Sequence, residues 1–175
     1  MSVLRPGVFL VMGFLAVAFF ACGGRESRAA SPSEPQAPAA PAAAVAFTTL
    51  AQTAVPGQNG LELREVIRDT ATWNQIWASL RQGSALPAAA PAVDFTKDMV
   101  LVAALPTQSC VSQVTIRSIT GDATNLRVDL LEEPASPDCK CITAQRPFHA
   151  VRLARSEGAV QFFATVTPKG CSPPA

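Results

Sequence analysis

The chain has 175 residues, a formal net charge of +1 and only 15% charged residues. This balance excludes the basic surface that nucleic acid binding needs, and it gives no basis for strong attraction to anionic lipids or acidic substrates. Beyond residue 44 the chain is long enough for one domain and too short for two well-buried cores.

The N-terminus carries the pattern of an export signal. Arg5 precedes an apolar run over residues 8–21, which is too short to span a bilayer core of about 30 Å. The sequence FFAC at residues 19–22 resembles the lipobox of bacterial lipoproteins, in which the cysteine is acylated and the preceding residues are removed. We therefore predict a lipoprotein signal peptide at 1–21 and lipidation of Cys22, with a plain secretory signal as the alternative.

An acylated Cys22 would hold the mature protein on a membrane, because two or more acyl chains give stable anchoring. Gly23 rather than Asp follows the cysteine, so the inner-membrane retention signal is absent and the outer membrane or cell surface is favoured. Residues 22–44 are rich in Ala, Pro and Ser, which predicts a disordered spacer of extended character. Its prolines recur at every third position: Pro32, Pro35, Pro38 and Pro41.

Residues 45–171 are predicted to form the domain, with a tail at 172–175. Two predicted strands, Val45–Thr53 and Leu61–Ile67, flank the turn-forming segment PGQNG at 56–60. Because Pro fixes one backbone angle and Gly and Asn accept positive φ, this pattern favours a hairpin.

A helix is predicted next, capped by Asp69 and Thr70 and ending at Gly83. Its apolar residues recur at helical spacing and form one stripe: Trp73, Ile76, Trp77 and Leu80. An aromatic stripe at this spacing indicates core packing, so we interpret the tryptophans as core residues rather than as a carbohydrate-binding platform.

After a predicted surface loop over residues 85–92, the run Met99–Leu105 is almost entirely apolar, as expected for a central strand buried on both faces. Alternating residues in 114–117 and 126–130 predict a hairpin that turns at residues 120–122. A second hairpin is predicted between Phe148–Arg155 and Ala159–Thr167. In that hairpin Phe163 faces outward, and the residues predicted to face inward are Val151, Leu153, Val160, Phe162, Ala164 and Val166.

These elements predict an α+β fold, with a mainly antiparallel β-sheet or sandwich and one packed amphipathic helix. Four cysteines lie in the predicted domain: Cys110, Cys139, Cys141 and Cys171. An even number of cysteines in an exported protein indicates disulfides, and four cysteines allow three pairings. The two predicted hairpins favour Cys110 with Cys139 and Cys141 with Cys171.

A metal site is the alternative use of these sulfurs. Cys139 and Cys141 form a C-x-C pair that Cys110 or His149 could complete, and thiolates suit copper(I) or zinc. Disulfides are favoured over this site because export implies an oxidising compartment. A redox-active pair is less favoured still, since the usual C-x-x-C at a helix N-terminus is absent.

No catalytic constellation is evident in the sequence. His149 is the only histidine and no nucleophile motif accompanies it, which favours a structural role. Glu132 and Glu133 are adjacent, so on a strand they would point to opposite faces and could not act as a paired acid and base. These observations predict a protein that is not an enzyme and needs no cofactor.

Several short motifs, in their order along the chain, resemble the C-terminal domain of the protease complex subunit PrcB family. The matching segments cover most of residues 63–167: VIRD at 66–69 leading into the helix, VDFT at 93–96 before the central strand, QVTI at 113–116, LRVD at 126–129 with EP at 133–134, ITAQ at 142–145 and PFHAV at 147–151. Family members often carry a Gly-rich turn where this chain has TQSC at 107–110, and the cysteine at this position indicates a disulfide instead.

The resemblance implies an accessory lipoprotein that helps to assemble or stabilise a surface protease complex, and it supplies no catalytic residues. The sequence therefore leaves two candidate functions. The first is a membrane-anchored, non-enzymatic binding or assembly module, whose partner is another exported protein and, by the resemblance, a protease. The second is a periplasmic thiol-metal protein that uses Cys139 and Cys141.

Overall fold

Seven strands and one helix make up the regular structure in the computed structural model, which describes residues 42–56, 60–108, 110–141 and 144–171. The predicted signal peptide, Cys22, residues 23–41 of the spacer and the tail lie outside these residues. In chain order the elements are β1 (Phe47–Pro56), β2 (Leu63–Ile67), α1 (Thr70–Leu80), β3 (Asp98–Ala104), β4 (Gln113–Gly121), β5 (Asn125–Glu133), β6 (Gln145–Ala154) and β7 (Ala159–Val166).

The strands form two sheets, which differ in what covers their faces. One sheet has the order β1-β6-β3-β2 and is antiparallel throughout, whereas the other has the order β4-β5-β7, in which β7 runs parallel to β5. A core that includes Met99, Leu101, Ile116 and Val128 lies between the sheets. Helix α1 covers the other face of the four-stranded sheet, which confirms the predicted α+β class.

Strand β3 is the central strand that its apolar run predicts. Met99 and Leu101 point into the core between the sheets, whereas Val100 and Val102 point toward the helix. Both faces of β3 are therefore covered, and the strand is bonded to β6 on one side and to β2 on the other.

Helix α1 spans Thr70–Leu80, and the predicted stripe faces the sheet. Trp73 and Trp77 are buried, and their indole N–H groups donate to the carbonyls of Pro91 at 2.9 Å and Pro87 at 3.0 Å. Because the indole donors are satisfied by the loop, burial of these large rings carries no unpaired polar group. Among the described residues, no helix has the length and apolarity needed to span a membrane.

Asp69 caps this helix as predicted, and its Oδ1 accepts from the backbone N–H of Thr72 at 2.8 Å. That backbone hydrogen bond, followed by the one from the Thr72 hydroxyl, lowers the pKa of Asp69 below its usual 3.8. We expect Asp69→Ala to lower Tm by a few degrees, whereas Asp69→Asn, which keeps the acceptor, should lower it less. Thermal unfolding followed by circular dichroism measures both, and an equal loss in the two variants would contradict the capping role.

The predicted hairpin between the first two strands is wrong. Strand β1 pairs with β6, and β2 pairs with β3 at the opposite edge of the same sheet. The physical reason is burial: β3 and β6 are the strands covered on both faces, so they occupy the centre. The half-exposed β1 and β2 flank them at the two edges of the sheet.

The hairpin predicted between β6 and β7 is also wrong, whereas the β4–β5 hairpin is confirmed. After β6 the chain crosses to the other sheet, where β7 pairs with β5. Arg68 holds this crossing by donating from Nε to the carbonyl of Ser156 at 2.8 Å and from Nη2 to that of Gly158 at 2.9 Å. These bonds satisfy two carbonyls of the connection between β6 and β7, which would otherwise depend on water.

The predicted faces of β7 are right only for its first half. Val160 and Phe162 pack against the core and Phe163 is exposed, as predicted. Ala164 and Val166 are exposed instead of inward, with Val166 at 56%. Neither residue packs against the core between the sheets, which reaches β7 only at Val160 and Phe162.

Candidate functional site

The two sheets meet along one line, where the chain entering β1 pairs with β4. The carbonyl of Ala43 accepts from the N–H of Gly121 at 2.9 Å, and the N–H of Val45 donates to the carbonyl of Ile119 at 2.8 Å. Ala43 and Ala44, the last residues of the predicted spacer, thus form a short antiparallel bridge with β4. Beyond this bridge β1 and β4 separate, and the gap between their edges is the candidate site.

Two side chains span the first part of the gap. His149 on β6 is 2% exposed, and its Nδ1 accepts from the backbone N–H of Ile116 at 2.9 Å. Gln52 on β1 donates from Nε2 to the carbonyl of Val114 at 3.2 Å and to the hydroxyl of Thr115 at 2.8 Å. Side chains therefore form hydrogen bonds with backbone groups on the edge of β4 that a neighbouring strand would otherwise bind.

The protonation of His149 follows from these partners. Because Nδ1 accepts a backbone N–H, the proton of the neutral ring lies on Nε2, which donates to the Thr49 hydroxyl at 2.9 Å. Burial lowers the pKa of His149 below its usual 6.5, which keeps the ring neutral. Both ring nitrogens are thus engaged by groups on β1 and β4, and the ring points into the space between the sheets.

The gap then opens into a cleft of about 300 Å³. One wall is the end of β1, another is the start of β4, and the floor is formed by β6. Its lining residues are Gln52, Thr53, Ala54, Ser112, Gln113, Val114, Pro147 and Phe148.

The backbone of β1 presents hydrogen-bonding groups to this cleft. The carbonyl of Pro147 accepts from the N–H of Leu105 at 3.0 Å and so points toward β3. Ala54 lies opposite Pro147 in the antiparallel register. The backbone groups of two facing residues either all point toward each other or all point away. Because the carbonyl of Pro147 points away from β1, the N–H and C=O of Ala54 point away from β6. The same alternation directs the backbone groups of Gln52 to the cleft.

The four cysteines form two disulfides, but the pairing differs from the predicted one. Cys110 is bonded to Cys141 and Cys139 to Cys171. The error has a clear origin: β7 runs along β5 instead of β6, so Lys169 bridges the loop after β5 and brings Cys171 beside Cys139.

The Cys110–Cys141 disulfide is supported by an adjacent backbone pairing, in which Gln108 and Gln145 each donate an N–H to the other's carbonyl. Ser112, which lines the cleft, is held near this disulfide. Its hydroxyl donates to the carbonyl of Cys110 at 3.2 Å and accepts from the N–H of Ala135 at 3.0 Å. The Cys110–Cys141 disulfide thus helps to hold Ser112 and the start of β4, which form one wall of the cleft.

The remaining predicted site residues are dispersed. Glu132 pairs with Arg64 and Glu133 with Lys169, so the two carboxylates point to different sides of β5, as predicted. Within the described ranges, no group of three or more His, Cys, Asp or Glu side chains could hold a metal ion. The sulfurs of Cys139 and Cys141 belong to separate disulfides.

Gln52 and Ser112 could not be identified as site residues from the sequence, because isolated polar residues in or beside a strand are common. Only the separation of two strand edges reveals their role. When the chain is compared with protein families, with characterised proteins and with solved structures, nothing matches it.

Proposed function

We propose that the chain is a membrane-anchored, non-enzymatic lipoprotein whose domain binds another exported protein. Acylated Cys22 would hold it on the outer membrane or cell surface, and residues 22–44 would give the domain reach. The partner would place an extended segment in the cleft between β1 and β4, as an added β-strand. The PrcB resemblance suggests a subunit of a protease complex as this partner.

One observation supports the cleft above other surfaces: β4 already accepts an extended segment along the same edge. Residues 43–45 of the chain itself pair with Ile119–Gly121, and the cleft continues that edge at Ser112–Val114. A segment of about three residues, at about 3.3 Å per residue, would extend along this part of the edge. Its backbone would meet the groups of Gln52 and Ala54 on the opposite wall.

The composition of the cleft indicates which segments fit. Its side chains are polar and uncharged or apolar, so a charged side chain entering it would lose hydration without gaining a partner. The volume of the cleft, about 300 Å³, favours small side chains. We therefore expect an uncharged segment rich in small residues.

Photo-crosslinking in intact cells tests this proposal. A photoreactive amino acid at Gln113, in the cleft, should capture one exported protein, whereas the same residue at Asn74, on the exposed side of α1, should not. Ala54→Pro should abolish capture from Gln113, because proline removes a donor that points to the cleft and not to β6. Circular dichroism checks that this variant remains folded.

Two results would overturn the proposal. Capture of the same protein from Gln113 and Asn74 alike would show that contact does not depend on the cleft. Unchanged capture from Gln113 in folded Ala54→Pro would show that the edge of β1 is not used.

A further inference from the structure

The free edge of β7 differs from every other sheet edge in the described part of the chain. The eight residues of β7, AVQFFATV, contain no charged residue and no proline, and the strand pairs with β5 without a bulge. Such an edge is open to pairing with another strand. It is the outermost strand of its sheet.

The other edges are protected over most of their length, and the short stretch that stays open lies in the cleft between β1 and β4. Strand β2 carries Arg64 and Glu65 in its middle. Strand β1 has an irregular register after Thr49 and ends in Pro56. The edge of β4 is covered by the residue 43–45 segment and by the side chains of His149 and Gln52. Charges, bulges and covering segments are the usual devices against edge pairing, and β7 lacks all three.

The hydrogen bonds to β5 determine which groups of β7 are free. The N–H of Ala159 donates to the carbonyl of Thr124, and the N–H of Thr167 donates to that of Glu132. Odd-numbered residues of β7 therefore point their backbone groups toward β5. By the alternation of a strand, the even-numbered residues point theirs to the open edge: Val160, Phe162, Ala164 and Val166.

We propose that β7 is a homodimerisation strand, which pairs antiparallel with β7 of a second copy about a two-fold axis at Phe163. In this register Phe162 faces Ala164 of the partner and Val160 faces Val166 of the partner, so every edge-pointing residue enters a hydrogen-bonded pair. Two sheets of the order β4-β5-β7 would join into one continuous sheet. About eight backbone hydrogen bonds would connect the copies.

The side chains fit a second copy of this chain. The register sets each Phe162 opposite the small Ala164 of the partner, so the two Phe162 rings do not face each other across the strands. It covers Val166, which is 56% exposed, with Val160 of the partner. On the outer face the two Phe163 rings, each 39% exposed, lie opposite each other at the closest type of cross-strand pair.

Arg127 already orders the Phe163 ring, since its guanidinium lies 3.8 Å from the ring centroid. Arg127 is in turn held by the carboxylate of Asp129. The ring is therefore oriented before association, which reduces the entropy lost when the copies meet. This proposal does not depend on the cleft or its partner.

Copies of the full chain with two different tags, co-expressed and extracted into excess detergent, provide the test. We expect them to co-purify, and a photoreactive residue at Gln161 should crosslink to the partner near Thr165, which faces it in this register. Ala164→Pro removes an edge donor without removing a bond to β5, and it should weaken co-purification at least about tenfold.

A matched pair of charge variants tests the register. Phe163→Glu would place two carboxylates opposite each other and should abolish co-purification. The variant should remain folded, because Arg127 can pair with the new carboxylate within each copy. Thr165→Glu lies on the same face but opposite Gln161 of the partner, so co-purification should persist. The proposal is overturned if copies do not co-purify, if folded Ala164→Pro dimerises normally, or if Thr165→Glu disrupts dimers as strongly as Phe163→Glu.

Discussion

Replacing Cys110 and Cys141 together by serine is expected to lower the free energy of unfolding by about 3 to 4 kcal/mol on the loop-entropy account. The disulfide closes a sequence separation of 31 residues, and the one between Cys139 and Cys171 closes 32. The two loops overlap only between Cys139 and Cys141. Each disulfide therefore restricts a different part of the unfolded chain, and each removal should cost a similar amount.

A double-mutant cycle distinguishes this pairing from the other possible ones. Cys110→Ser and Cys141→Ser should each cause nearly the full loss, and combining them should add little, because both remove one bond. Cys141→Ser and Cys171→Ser remove different bonds, so their effects should add. Urea unfolding with free thiols alkylated measures these values. Additive effects for Cys110 and Cys141, with coupling between Cys141 and Cys171, would contradict the observed pairing.

A thiol count on the native chain accompanies this cycle. If both disulfides are complete, the four domain cysteines should not react with a thiol reagent before reduction. Free sulfurs at Cys139 and Cys141 that bind copper(I) or zinc would instead support the thiol-metal alternative. The assay therefore also compares the two functions considered from the sequence.

Elements whose signal is local could be predicted from the sequence. The helix follows from the cap at Asp69 and the spacing of Trp73 and Trp77, and β3 follows from its continuous apolar run. Each of these depends on residues that are neighbours in the chain, and burial then acts in the direction that the local pattern indicates.

Strand partners were predicted less well than these local elements. Short connections favour hairpins between consecutive strands, yet β1 and β7 each pair with strands distant in the chain. The choice is made by burial across the whole domain, because β3 and β6 are the strands that two layers can cover. The wrong disulfide pairing followed directly from the wrong partner for β7.

His149 shows what the sequence could indicate about the site. It shares strand parity with Val151 and Leu153, which the sequence predicts to face inward, and in the structure its ring points toward the other sheet. Its partners Thr49 and Ile116 could not be predicted, since they depend on how far β1 and β4 separate. For the same reason the cleft itself has no signature in the sequence.

Replacing His149 by Leu is expected to destabilise the domain by about 1 to 3 kcal/mol, the usual cost of one unsatisfied buried group. The substitution would leave the N–H of Ile116, which is buried, without an acceptor, whereas the exposed Thr49 hydroxyl can bind water instead. His149→Asn should cost less, because its side-chain oxygen can take the place of Nδ1 and accept from Ile116. Urea unfolding at pH 7.5, a pH chosen at about one unit above the usual histidine value, measures both. Equal losses in the two variants would contradict the hydrogen-bond explanation.

The same histidine should make stability depend on pH in a defined range. Burial lowers the pKa of His149 in the folded state below the usual 6.5, so below pH 6.5 the unfolded chain binds a proton that the folded chain does not. The stabilisation from the neutral ring is therefore complete above pH 6.5 and is lost as pH falls toward the lowered folded pKa, by at most about 1.4 kcal/mol per pH unit. His149→Asn should lack this slope. The hydrogen-bonded Asp69, Asp94 and Asp122, whose pKa values lie below 3.8, lose their contribution only at lower pH, so a slope between pH 6.5 and 5 that persists in His149→Asn would contradict the assignment.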